Sequence, residues 1–244
     1  IYMGDWSSDV CSSDLTRERL RMLFIPVSAP RGTGEYARAL ALASAVRQRH
    51  PDASIHFIVS REAAYADTVP FPVTRLPASA TFHTPEVRDF IRSFAPDVVV
   101  FDNAGRTAQL RAARAAGAGI VFVSSRSRPR RRAFRMKWMR LLDEHWIASP
   151  AIVAGGLGSF ERLKLRILGR PSVRFVDTLL PPAADETARR LFARHALQPD
   201  RYVLVVPGGG SAQPRMREAP RVIRAAAAGI AAQGHDVEIG RAHV

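Results

Sequence analysis

Cysteine is almost missing from this 244-residue chain: Cys11 is its one thiol, too few for a disulfide framework or a cysteine metal cluster. The seven histidines show no metal-ligand spacing. No run of about 18 apolar residues occurs, so no membrane-spanning helix is expected. Residues 1 to 15 lack the basic start and apolar centre of a signal peptide. Ser124, Ser125 and Ser211 lack the flanking pattern of a nucleophile elbow, which argues against hydrolysis by a triad. Acidic residues are also scarce, 22 against 36 Lys and Arg, for a net charge of +14. Such a balance admits nucleic acid, anionic lipid or a phosphorylated substrate as partner. Scarce cysteine suits a reducing cytoplasm.

The two ends read as foreign. One permitted set of codons for Asp9 to Leu15, read on the opposite strand, encodes Glu-Ile-Gly-Arg-Ala-His-Val, which is Glu238 to Val244. Two protein ends that encode each other resemble a translated sequencing adapter, and such scars are set aside from fold reasoning. Residues 1–15 and 238–244 are therefore expected to be non-native, with the gene continuing past both. Removing their four acids and one base leaves the remainder still more basic.

Between these ends the pattern alternates. Met22–Val27 is a short apolar run, and a helix is expected from about Tyr36 to Arg49. Strands follow at Ser54–Val59 and Val73–Leu76, a helix at Pro85–Phe94, a strand at Asp97–Asp102, a helix at Arg106–Ala116 and a strand at Gly119–Val123. An arginine-rich turn then leads into a helix reaching about Leu142. After it come a strand at His145–Ala148, a helix at Ser159–Arg166 and a strand at Val173–Val176. Repeated βαβ units of this kind predict a parallel sheet covered on both faces. Leu180-Pro181-Pro182 breaks the pattern and a polar helix runs from Ala184 to His195. Arg201–Val206 begins again as a strand, followed by a glycine turn, a helix from Arg217 to Gln233 and a strand from His235. The expected organisation is an α/β chain with a complete Rossmann-like domain at 16–179, a linker helix at 180–199 and the truncated start of a second Rossmann-like domain at 200–237.

Each domain opens with strand, glycine turn and helix, which gathers free backbone N–H groups at a positive helix end suited to phosphate. In the first turn Gly32 and Gly34 allow positive φ and close approach of a ligand. That turn has neither the full dinucleotide glycine pattern nor a P-loop lysine; it is expected to contact ligand, and a merely tight strand-to-helix connection is the alternative. Pro207-Gly208-Gly209-Gly210-Ser211 is the second turn.

Gly32-Thr33-Gly34-Glu35 with the helix behind it, paired with Val205 to Ser211, resembles the GT-B glycosyltransferases, and among them the family of N-acetylglucosaminyltransferases that form lipid II (glycosyltransferase family 28-like). The resemblance implies a bacterial cell-envelope enzyme working at the cytoplasmic face of the membrane. Its first turn (Gly32, Thr33, Gly34) would face the acceptor, and Gly208, Gly209, Gly210 and Ser211 would approach the diphosphate of a nucleoside diphosphate sugar. That donor is a co-substrate, and neither cofactor nor metal is expected. Relatives often carry His where this chain has Glu35.

Two carboxylates are candidate bases. Glu35 sits at a helix start, where the dipole lowers a carboxyl pKa and weakens a base unless burial offsets it; a merely structural helix-start carboxylate is the alternative. Asp102, followed by Asn103, ends an apolar strand, where open α/β sheets place ligand groups; a helix cap is the alternative. Arg126 is a further candidate for holding substrate. From Arg126 to Leu142, cations surround Phe134, Trp138, Leu141 and Leu142 at helical spacing. This pattern could lie on an anionic membrane beside a lipid-linked acceptor or serve as a core helix with a solvated arginine face; nucleic acid is not expected, since no recognition motif accompanies the basic run. The function expected is sugar transfer to a hydroxyl acceptor. The alternatives are a sugar-nucleotide hydrolase or epimerase on the same fold, and a non-catalytic basic module that binds anionic lipid or nucleic acid.

Overall fold

A computed structural model of the chain describes residues 19–28, 32–149, 155–176, 185–198, 201–205 and 219–239. Nine strands and eight helices lie within them. In order they are β1 (Arg21–Pro26), α1 (Gly34–Arg49), β2 (Ser54–Ser60), β3 (Val73–Leu76), α2 (Thr84–Phe94), β4 (Val98–Asp102), α3 (Thr107–Ala115), β5 (Gly119–Ser124), α4 (Ser127–Ala133), α5 (Met136–Met139), β6 (Glu144–Ile147), α6 (Ser159–Leu168), β7 (Ser172–Phe175), α7 (Asp185–His195), β8 (Tyr202–Val205), α8 (Ala219–Ala231) and β9 (Asp236–Ile239).

The first seven strands form one sheet in the order β3-β2-β1-β4-β5-β6-β7, and every pairing is parallel. Strands β8 and β9 pair with each other in a separate sheet. The expected break after the seventh strand is therefore present. Glu238 and Ile239, which fall in the segment read as adapter, continue β9 opposite Leu204 and Val205; a strand ladder uses backbone groups and accepts any such residues.

Alternation along the strands sends successive side chains to opposite faces. Leu23, Ile25, Val99, Phe101 and Phe122 pack with Val87 and Ile91 of α2, Leu110 of α3 and Trp138 of α5. Phe24, Val100 and Val123 face the other way, onto Tyr36, Ala39 and Ala43 of α1. Gly105 shows why the β4–α3 connection needs glycine: φ is +99°, and a Cβ there would meet Phe101 and Leu110 at 3.2 Å.

The segment after β5 departs from expectation. Instead of one helix to Leu142 there are two short ones, interrupted at Arg135, whose ψ of 133° is extended. The break lets two aromatic residues enter two cores. Phe134 joins Met139, Ile147 and, from α6, Leu165 and Leu168, whereas Trp138 stacks edge-on against Phe122 at 5.3 Å and donates its indole N–H to Thr107 Oγ1 at 3.0 Å. Phe134 and Trp138 are 3% and 2% exposed. The exposed aromatic face that a membrane-lying Arg126–Leu142 helix requires does not exist, so that contact is excluded in its expected form. None of the described helices is long and apolar enough to cross a membrane.

Candidate functional site

Strands β1 and β4 are neighbours, but the chain leaves β1 toward β2 on one side and β4 toward β5 on the other. Their C-terminal ends therefore diverge around a crevice, the place where open α/β sheets receive ligands. The turn at Gly32 to Gly34 and the residues Asp102 and Asn103 lie at these two ends, in register through Pro26 and Asp102.

Val100 and Asp102 share a face two residues apart, so Asp102 looks toward α1. Its carboxylate accepts from both arms of Arg38, with Nε to Oδ2 at 2.7 Å and Nη2 to Oδ1 at 2.8 Å. Both side chains are largely withdrawn from water. Burial pushes the Asp102 carboxyl up to about 6, against the opposing pull of Arg38. For Arg38, burial works against the charge, but the carboxylate outweighs it and its pKa is raised. Asp102 is thus not a helix cap, since Arg106 occupies that place for α3, and Arg38 engages both of its oxygens. Sequence reasoning missed Arg38, although its place one turn after Glu35 puts it on the same side of α1.

Glu35 is buried at the start of α1. Asn103 Nδ2 donates to its Oε1 at 2.9 Å, and Arg126 Nη2 donates to the same oxygen. Among the described residues Oε2 has no hydrogen-bond partner. Asn103, in the left-handed region at φ 51°, also donates to Ser125 Oγ at 2.7 Å and accepts from the Ser125 N–H at 3.1 Å. Its carbonyl accepts from Arg132 Nη2 at 3.1 Å. Arg132 stands 4.8 Å over the Trp138 ring; burial first, then the arginines around it, lower its pKa. The crevice thus gathers Glu35, Asp102, Asn103 and Arg126 of the expected residues and adds Arg38, Ser125 and Arg132. Three guanidinium groups face two carboxylates, a balance that favours an anionic or strongly polarised ligand.

Thr33 begins α1 without a side-chain cap, and Gly32 and Thr33 are half-buried while Gly34 is exposed. Gly34 does not use the positive φ that glycine allows. An added Cβ at Gly34 would meet nothing within 4 Å, so the space over the helix start is open. Gly208, Gly209, Gly210 and Ser211 lie outside the described residues. Deeper in the sheet, Ser124 Oγ and His145 Nε2 lie 2.9 Å apart. Burial and then Arg130 lower the His145 pKa to about 3, so this imidazole is neutral, and its buried Nδ1 has no partner among the described residues.

No family model matches the chain, and no curated protein matches its sequence. Solved structures do share its fold. An Arabidopsis thaliana UGT complexed with UDP superposes with a TM-score of 0.57 at 15% identity, covering 91% of this chain and 66% of that one. A UDP-glucosyltransferase from Polygonum tinctorium that glucosylates indoxyl gives 0.54 at 14% identity over 78% of this chain and 59% of its own. A glycosyltransferase from Rickettsia africae gives 0.52 at 8% identity, covering 91% and 68%. The chain thus spans about three fifths to two thirds of the length of these proteins, and its α/β architecture is GT-B-like and Rossmann-like.

Proposed function

We propose that this chain is the acceptor-side part, with the start of the donor side, of a GT-B glycosyltransferase that moves a sugar from a nucleoside diphosphate sugar to a hydroxyl acceptor. In this reading residues 16–179 are the acceptor domain, 180–199 the linker and 200–237 the beginning of the donor domain, with non-native segments outside them. The observation that carries it is the cluster of buried Glu35 and Asn103 with exposed Arg126 at the divergence of β1 and β4, beside an open helix start. The GT-B-like fold supports reading this crevice as the acceptor site.

Glu35 takes the role of base, because its Oε2 is uncommitted whereas Arg38 holds both oxygens of Asp102. Asn103 and Arg126 fix the carboxylate from one side and leave the other toward the acceptor hydroxyl. Deprotonation of that hydroxyl would accompany departure of the diphosphate, with Gly208 to Ser211 and arginines stabilising the leaving charge. An acceptor on a lipid phosphate, as in the lipid II-forming family, would meet cations at this crevice but no inserting face from α4 and α5.

The test is release of nucleoside diphosphate from a panel of sugar nucleotides, with and without hydroxyl acceptors, in the protein extended through its donor domain. Glu35→Gln is expected to lower kcat about 100- to 10,000-fold with little change in donor KM. Equal activity of Glu35→Gln removes the base assignment; absence of acceptor-dependent release across the panel removes the function. Residues 16–237 alone are expected to transfer no sugar.

A further inference from the structure

Helices α2 and α3 each return the chain from the end of one parallel strand to the start of the next, so they run side by side in the same direction. Both rest on the core that holds Val87, Ile91, Leu110 and Ala113. Side chains three and four apart line up along a helix. On α2 this spacing sets Arg88, Arg92 and, just past its end, Ala95 along the edge that looks toward α3, where Ala108, Arg111 and Ala115 form the facing edge. Alanine is too short to fill the gap between two helices, and about 620 Å³ of open space remains between these edges. Ala112 packs on the core and closes the floor, while the three guanidinium groups stand exposed on the rims. Arg88 and Arg111 have no acidic partner among the described residues. Arg92 has Asp89, but both are 65% exposed, and so open a pair contributes little. Helix α3 carries no acidic residue, and the two of α2, Glu86 and Asp89, are three apart on its solvent side.

We infer that the groove between α2 and α3 is a docking surface for an acidic amphipathic helix of a partner protein, whose apolar face fills the alanine-floored gap while its carboxylates meet Arg88, Arg92 and Arg111. Shape and charge together select this occupant. Two parallel helices form a trough that a third enters lengthwise, and small side chains on its floor let the backbones approach closely. From Ala108 to Ala116 the trough extends about 12 Å at about 1.5 Å per residue, room for about two turns of such a helix. Cations on both rims complement carboxylates on both flanks of the incoming helix. A second copy of this chain across a twofold axis would bring the same arginines together. A lipid surface does not reach the alanines at the bottom of a concave groove, and a small anion held by the rims alone would leave that apolar floor in water. The inference does not depend on sugar transfer.

The 244-residue chain is titrated into a fluorescently labelled synthetic helical peptide with leucines along one face and glutamates on both flanks, and the anisotropy gives its Kd. The controls are a scramble of the same residues, which has no apolar face, and the same helix with lysine for glutamate. Expected are saturable binding of the acidic helix, binding of the scramble weaker by about tenfold or more, and none of the lysine helix. Arg88→Gln/Arg111→Gln should weaken the acidic helix about tenfold and flatten its dependence on salt. Ala108→Leu/Ala115→Leu, which fills the groove and leaves every charge in place, should weaken it by a similar factor. Circular dichroism checks that each variant keeps the helix content of the parent; should the filled variant lose it, the arginine variant, altered only at exposed positions, decides alone. Equal affinity for the acidic helix and its scramble would mean that bulk positive charge attracts the peptide, and would overturn the inference. So would the absence of saturable binding, or parent-like affinity in the arginine variant. Sedimentation with phosphatidylglycerol vesicles that falls in Arg88→Gln/Arg111→Gln, with peptide affinity unchanged, would give these arginines to lipid and overturn it as well.

Discussion

Replacing Arg38 by Met isolates the energetics of the crevice. Asp102 is 1% exposed, and its pKa stands at about 6 against an ordinary 3.8 even with Arg38 bound. A raised folded pKa means that this carboxyl adds no cost below about pH 4 and incurs one as the pH rises through about 6, where it levels off. Without Arg38, burial prevails and the carboxyl stays protonated. Its cost then climbs with every pH unit instead of levelling, by about 1.4 kcal/mol each. The destabilisation of Arg38→Met relative to the parent is therefore close to nil at pH 5, about 1 kcal/mol at pH 7 and about 4 kcal/mol at pH 9. The last figure is a large part of the roughly 5–15 kcal/mol that holds a domain folded. Urea titrations of the chain, followed by circular dichroism at the three pH values, measure it. Arg38→Met/Asp102→Asn removes the titrating group and should show no such slope. An Arg38→Met cost that is the same at all three pH values, or a slope that survives in the double variant, would refute the coupling.

Three further outcomes are expected. His145 is neutral in the fold with its pKa lowered to about 3, so the stability it contributes is complete above about pH 6.5 and lost as the pH falls toward 3; His145→Leu should shed about 3 kcal/mol of the parent's loss between pH 7 and 4, read by the same titrations. Gly105→Ala, forced into φ +99° against Phe101 and Leu110, should cost about 1–3 kcal/mol in thermal unfolding, and an unchanged melting temperature would contradict the turn geometry. Trp138→Ala should cost about 3–5 kcal/mol, as a buried aromatic does, whereas a solvent-facing Trp would cost almost nothing.

The strands were readable because parallel, doubly covered strands are short apolar runs: Val73–Leu76 falls where the sequence places it. Asp102 and Asn103 were readable as the end of such a run, and Glu35 as the start of a helix. Their partners were not. The Arg38–Asp102 contact needs the β1–β4 register and the alternation that turns Asp102 toward α1, and both are set by tertiary pairing. The Arg126–Leu142 segment misled for a related reason. Phe134 and Trp138 have helical spacing, but they belong to different cores, and the chain must break at Arg135 to reach both. On α6, apolar residues occur on both sides, so periodicity alone could not tell Leu165 from Leu163.

The crevice is assembled from distant chain. Glu35 meets Asn103 across 68 positions and Arg126 across 91, while Asn103 and Ser125 are 22 apart. During folding, the β4–β5 unit can therefore bring Asn103 and Ser125 together early, by closing a short loop. Glu35 joins only after β1 has docked beside β4, a closure that must meet a larger entropy cost before it is rewarded. A chain with β1 detached would keep much of its helix and strand content and yet have no crevice. Ligand affinity and amide-exchange protection of β1 should consequently rise and fall together, making β1 docking the cooperative event on which occupancy depends.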